Sequence, residues 1–219
     1  MTAPPLAIFG GTFDPVHTGH LRAAWEASEA LGAEVRLVPA RIPPHRPQPV
    51  ASAAQRAALL RAALAGQRRL QLDLRELERD GPSYTFDTLA SVRAEVGVAR
   101  PLVLLIGADA FAGLSAWHRW RELFDLAHIC VLTRPAQIPD MPDELEAEVA
   151  LRRTADIGLL RTEPAGRVLD MVVSALGISA TRIRALLAIG REPRWLVPDA
   201  LLADPLLLAP YRNHRGGAD

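Results

Sequence analysis

Six short apolar runs punctuate the chain, and the stretches between them carry apolar residues at helical spacing. The runs are LAIF (6–9), VRLVP (35–39), LQLDL (70–74), PLVLLIG (101–107), HICVLT (128–133) and RVLDMVV (167–173). Each has the length and aliphatic content of a strand. Residues 18–31, 52–65 and 84–96 instead space Ala and Leu among polar residues as an amphipathic helix does. Strands that alternate with helices are joined through crossovers, which makes the sheet parallel and covers both its faces. The expected fold class is therefore α/β, with an open, mostly parallel twisted sheet and helices on both faces.

Two further helices are expected, an acidic amphipathic one over Pro142 to Arg153 and another over Thr181 to Ile189, closed by Gly190. The 219 residues suit one large domain, and no internal repeat or long linker divides them, so 1–219 is read as a single unit with a frayed tail at 212–219. The lone cysteine, Cys130, lies in an apolar run and has no partner for a disulfide, which fits a reducing cytoplasm. No leader pattern or membrane-length apolar run is present. Formal net charge is zero, so bulk electrostatics argue for neither nucleic acid nor membrane as a partner. A homo-oligomer is left open.

All 25 basic residues are arginine. That excludes a P-loop lysine, a Schiff base and a lysine nucleophile. Any phosphate must be met by Arg, His, backbone N–H groups or a metal.

The densest polar chemistry follows the first strand, in IFGGTFDPVHTGH (8–20). Strand, glycine-rich turn, then helix is the geometry in which backbone amides and a helix N-terminus face an anion. Gly10 and Gly11 let the chain approach a phosphate closely, and Thr12 adds a hydroxyl. Asp14-Pro15 makes a rigid turn, with Thr18 as the expected N-cap of the next helix. His17 and His20 are three apart and share a face of its first turn, from which imidazoles can donate to a phosphate gaining charge. Asp14, His17 and His20 also satisfy a two-histidine, one-carboxylate metal site. The surrounding glycines and threonines suit a phosphate better than a metal cage, so no protein-held metal is expected. The pattern differs from the dinucleotide fingerprint G-x-G-x-x-G, because its glycines are adjacent.

GGTFDPVHTGH resembles the (H/T)xGH signature of the nucleotidylyltransferase superfamily, and ISATRIR (178–184) resembles its second signature, ISxTxxR. PPHRP (43–47), PSYTFDTL (82–89), IGADAF (106–111) and the pair Trp117-His118 are similar to segments of the bacterial nicotinate-nucleotide adenylyltransferases. The resemblance runs from about Leu6 to Tyr211. It implies a Rossmann-like domain whose late segment, about 178–211, completes an ATP site. It also implies transfer of the adenylyl group of ATP to nicotinate mononucleotide, with Mg²⁺ accompanying ATP. Nicotinamide mononucleotide is the alternative acceptor.

By the same resemblance, His17, His20 and Arg184 are the catalytic residues. Gly10, Gly11, Thr12, Phe13, Asp109, Ser179 and Thr181 line the ATP site, with Asp109 near the sugar. An ordinary helix N-cap is an equal reading of Asp109. His45 and Arg46, on a proline-stiffened loop, face the acceptor's phosphate; many relatives have Lys at the position of Arg46. Thr85 meets the acceptor's carboxylate and Trp117 stacks on its pyridine ring, though a core tryptophan is the competing reading. Arg134 is a weaker acceptor contact that a solvated surface charge explains as well.

Overall fold

All six expected strands form: Leu6–Gly11 (β1), Glu34–Pro39 (β2), Leu70–Leu72 (β3), Leu102–Gly107 (β4), His128–Thr133 (β5) and Val168–Val172 (β6). The computed structural model describes residues 3–43, 47–134, 141–174 and 176–212. Between the strands lie Thr18–Leu31 (α1), Ala53–Ala63 (α2), Arg75–Glu78 (α3), Thr85–Val96 (α4), Ala108–Ala112 (α5) and Leu123–Leu126 (α6). Asp143–Ala150 (α7) and Leu159–Thr162 (α8) precede β6, and Ala180–Ala188 (α9), Asp199–Ala203 (α10) and Ala209–Arg212 (α11) follow it. Most of the expected tail lies outside the described residues; Arg212 itself ends α11. Among the described residues, no helix is long and apolar enough to cross a membrane.

The strands are all parallel and lie in the order β3-β2-β1-β4-β5-β6. This doubly wound order reverses direction between β1 and β4. Successive crossovers leave those two strands toward opposite edges, which opens a crevice beyond their carboxyl ends.

Strand periodicity sends alternate side chains to opposite faces, and each face is sealed by its own set of helices. On one face Ala7, Val35, Leu37, Val103, Leu105 and Cys130 pack with Ala24, Ala27 and Leu31 of α1, Leu59 and Leu60 of α2, and Ile183 and Leu187 of α9. On the other, Leu6, Ile8, Leu102, Leu104, Ile106 and Ile129 pack with Leu89 and Val92 of α4, Phe111, Phe124, and Leu145 and Val149 of α7. β4 is sealed on both faces, which is why it reads as an uninterrupted apolar run. Cys130 is buried, and loss of hydration pushes its thiol up to about 12, so it is inert at neutral pH.

Candidate active site

The opening motif is arranged differently in detail from the expected glycine turn. Gly10 and Gly11 are the last residues of β1, in register with Val38 and Pro39, and the chain turns only after them. A Cβ at Gly11 would lie 3.0 Å from the Phe13 ring, so this glycine makes room for an aromatic neighbour. The space around Gly10 is open. Phe13 sits in the left-handed region at φ 50°, a conformation that costs a side-chain-bearing residue roughly 1 kcal/mol or more. Its ring is buried and packs edge-on to His20 with centroids 5.1 Å apart. What Phe13 can offer a ligand is therefore its main chain.

The helix that follows is capped by His17, not by Thr18. The Nδ1 of His17 accepts the His20 backbone N–H at 3.3 Å, and the Nδ1 of His20 accepts the His17 backbone N–H at 3.3 Å. Thr18 is the first helical residue, and its N–H donates to the Leu196 carbonyl at 2.9 Å. Gly19 is needed between them, because a Cβ there would meet His17 Nδ1 at 3.1 Å. A ring nitrogen that accepts a hydrogen bond carries no proton, so in each neutral imidazole the hydrogen is on Nε2. Burial lowers the pKa of His17 from 6.5 to about 4, against a smaller opposing effect of its backbone hydrogen bond. His17 is thus a neutral N–H donor at pH 7, suited to stabilising an anion without exchanging a proton with it.

Asp14 is adjacent in sequence but serves another purpose. Its Oδ2 accepts the Val50 N–H at 2.8 Å, and its Oδ1 accepts the Ala51 N–H at 3.0 Å and the Tyr211 hydroxyl at 2.9 Å. The carboxylate is 6% exposed and ties the turn to the loop before α2. The two-histidine, one-carboxylate cage does not assemble, since these oxygens face amides and a phenol and the Nδ1 atoms face backbone.

The second motif closes over the first. Ser179 caps α9 by accepting the Arg182 N–H at 3.2 Å. Thr181, two residues on, accepts from Arg184 Nη2 at 3.3 Å. Arg184 Nη1 donates to the Asp14 carbonyl at 2.7 Å, which brings this half-exposed guanidinium to the turn that carries the histidines. The histidines, Arg184, Ser179 and Thr181 are thus gathered at the carboxyl end of β1.

Sequence reasoning missed Arg56. It is 1% exposed, and its guanidinium donates to the carbonyls of Thr12 at 2.8 Å, Ala51 at 3.2 Å and Arg41 at 3.4 Å. It fastens the underside of the turn to the start of the proline-rich loop. Nothing in the run AAQRAALLRAA distinguishes it from the surface arginine beside it.

On the other side of the crevice, Thr85 is the first residue of α4, with Tyr84, the start of the expected 84–96 stretch, as its N-cap. The Tyr84 ring lies against that of His118 at 4.6 Å between centroids, and the Arg119 guanidinium covers Phe86 at 3.5 Å. These flanking contacts bring Thr85 and Trp117 into one neighbourhood. Trp117 is half-buried, while the neighbouring Trp120 is the core residue. Asp109 is exposed in the first turn of α5, whose N-cap is Gly107 and not Asp109. Arg134 is exposed directly after β5. His45 and Arg46 lie outside the described residues.

The two motifs meet at the switch point of a doubly wound sheet, and the chain is a nucleotidyltransferase of the cytidylyltransferase-like family, whose model matches residues 8–186. It is 48% identical to the probable nicotinate-nucleotide adenylyltransferase of Dechloromonas aromatica (strain RCB), over 95% of this chain and 98% of that protein. A protein of the same name from Pseudomonas putida (strain W619) is 52% identical over 90% of each chain. The resemblance read from the motifs is thereby borne out. Among solved structures, Plasmodium falciparum nicotinic acid mononucleotide adenylyltransferase complexed with NaAD superposes with a TM-score of 0.64 over 95% of this chain and 94% of that one. At 14% identity that likeness speaks for the fold alone.

Proposed function

We propose that the protein transfers the adenylyl group of ATP to nicotinate mononucleotide, releasing pyrophosphate and forming deamido-NAD⁺. The observation that carries this reading is the reciprocal cap of His17 and His20 with Arg184 held against the same turn. Acceptor specificity is read from the close relatives, which are named for the nicotinate nucleotide.

A phosphate oxygen of the acceptor attacks the α-phosphorus, and the bond to the oxygen bridging toward the β-phosphorus breaks. The electron pair of that bond leaves with pyrophosphate. The neutral Nε2–H of His17 and the Nε2–H of His20 donate to the phosphate oxygens as this charge builds, and Arg184 balances it. No covalent intermediate is required, so rate comes from alignment and fixed donors. Thr12 and the main chain of Gly10, Gly11 and Phe13 border the phosphates. Ser179 and Thr181 each use an oxygen as acceptor, which leaves each hydroxyl hydrogen free to donate to the triphosphate. Mg²⁺ would enter with the ATP substrate and would supply charge neutralisation on the triphosphate; the Asp14 carboxylate beside the site is already committed to the fold. Asp109 lies near the nucleotide sugar. Thr85, Trp117 and Arg134 receive the acceptor, together with His45 and Arg46. The late segment 178–211 completes the ATP side of a single domain.

The experiment is to supply Mg-ATP with a panel of mononucleotides and measure pyrophosphate release. Release that depends on nicotinate mononucleotide supports the reading, and release that depends on nicotinamide mononucleotide favours the alternative acceptor. Equal release without any acceptor contradicts both.

A further inference from the structure

Arg184 has two oxygens of the same residue within reach and bonds only one of them. Its Nη1 is 2.7 Å from the Asp14 carbonyl and 3.8 Å from the Asp14 carboxylate Oδ2. A movement of about 1 Å would turn the second approach into a charge-assisted hydrogen bond, of the kind a triphosphate must otherwise offer. What occupies the carboxylate instead is a set of three other donors: the amides of Val50 and Ala51 and the hydroxyl of Tyr211.

Of those donors, the Tyr211 hydroxyl is the one supplied by a side chain. Tyr211 lies on α11, the last described helix, which packs against the α9 that carries Arg184. The ring is fully buried. Burial and the nearby Asp14 charge push its phenol well above the ordinary range, so it stays a proton donor throughout the working pH range. Tyr211 serves Oδ1 while Arg184 approaches Oδ2, so losing the phenol leaves more of the carboxylate's shared charge uncompensated and strengthens its pull on the nearest cation. Here that cation is Arg184.

We propose that Tyr211 is a positioning residue for ATP: by satisfying the Asp14 carboxylate it keeps Arg184 from closing onto that charge and leaves the guanidinium for the triphosphate. This rests on the assignment of Arg184 to ATP. The C-terminal helix thereby sets ATP affinity from a residue that touches neither substrate.

The test is steady-state kinetics on the full chain for wild type, Tyr211→Phe, Arg184→Ala and the double variant. Tyr211→Phe should lower kcat/KM for ATP about tenfold while KM for the mononucleotide changes little. In the Arg184→Ala background the same substitution should cost less than about twofold, because the two residues act through one contact. Equal losses from Tyr211→Phe in both backgrounds would mean that the tyrosine only supports the fold, which overturns this proposal and leaves Arg184's role standing. An Arg184→Ala enzyme with unchanged ATP dependence overturns the Arg184 assignment and this proposal together. If Tyr211→Phe proves too unstable to assay, Asp14→Asn alone removes the charge that competes for Arg184, and kcat/KM for ATP should stay within about twofold of wild type. A loss of about tenfold in that variant contradicts the proposal.

Discussion

His17 and His20 lie with their imidazole rings stacked, centroids 3.6 Å apart and planes 20° from parallel, each Nδ1 accepting the other's backbone N–H. Two imidazolium ions would repel at that separation, and the shared capping leaves Nε2 as the N–H atom of each neutral ring. The geometry uses local backbone bonds at a helix start to fix two tautomers.

If the pair acts only as neutral donors, the rate should not track titration of His17 near its ordinary pKa. kcat should be flat from about pH 5.5 to 8, and His17→Ala or His20→Ala should lower it by about two orders of magnitude while the fold persists. A rate that falls as pH rises through about 6.5 would instead identify a protonated imidazole as the working species.

The same burial makes a prediction for stability. The folded His17 pKa of about 4 lies below its ordinary 6.5, so between these values the unfolded chain binds the proton more readily. His17 therefore gives its full contribution above about pH 6.5, and up to about 3 kcal/mol is lost as pH falls toward 4. Glu76 tilts the curve the other way, because burial raises its pKa against the hydrogen bonds from Thr88 and Ser83. The comparison must thus be differential. Denaturation of wild type and His17→Ala at about pH 7.5 and pH 5 should show a shallower loss in the variant; parallel losses would remove His17 from the account.

Arg184 makes two directed bonds from one planar group, to the Asp14 carbonyl and to Thr181. Lysine keeps the charge but cannot reproduce the fork. Arg184→Lys should lower kcat/KM for ATP about tenfold or more, with the melting temperature within a few degrees of wild type. Unchanged ATP dependence would mark Arg184 as a helix-surface charge.

Acceptor choice should follow from the start of α4. Thr85 and the unpaired amides of a first helical turn are donors, and they match a carboxylate's acceptors but oppose an amide's NH₂. Asp87 shares that turn and reduces its positive field, so the preference rests on hydrogen-bond matching more than on charge. Nicotinate mononucleotide should be preferred to nicotinamide mononucleotide by roughly a hundredfold in kcat/KM, and Thr85→Val should erode this only in part. Equal use of both by the unmodified enzyme would refute the acceptor assignment.

The strands and long helices were legible because each buries a face whose period is written in the sequence. The fully buried β4 showed as a continuous run, and α1 showed as spaced alanines and leucines. His17, His20 and Arg184 stood out because each residue type is unusual for its place, and the fold brings all three to one turn. The site was not legible where roles depend on distant partners. Tyr211 meets Asp14 across 197 positions, and Arg56 meets Thr12 across 44. Thr18 looked like the cap because hydroxyl residues usually are, and histidine won because its neighbour three residues on could return the bond.

The most direct measurement is the fate of label placed on the α-phosphate of ATP. With nicotinate mononucleotide and Mg²⁺, the label should pass into the dinucleotide in step with unlabelled pyrophosphate, and neither product should form when the acceptor is left out. Label recovered in ADP, or in free AMP without dinucleotide, would show attack at a different phosphorus or by water, and would contradict adenylyl transfer as the function of this site.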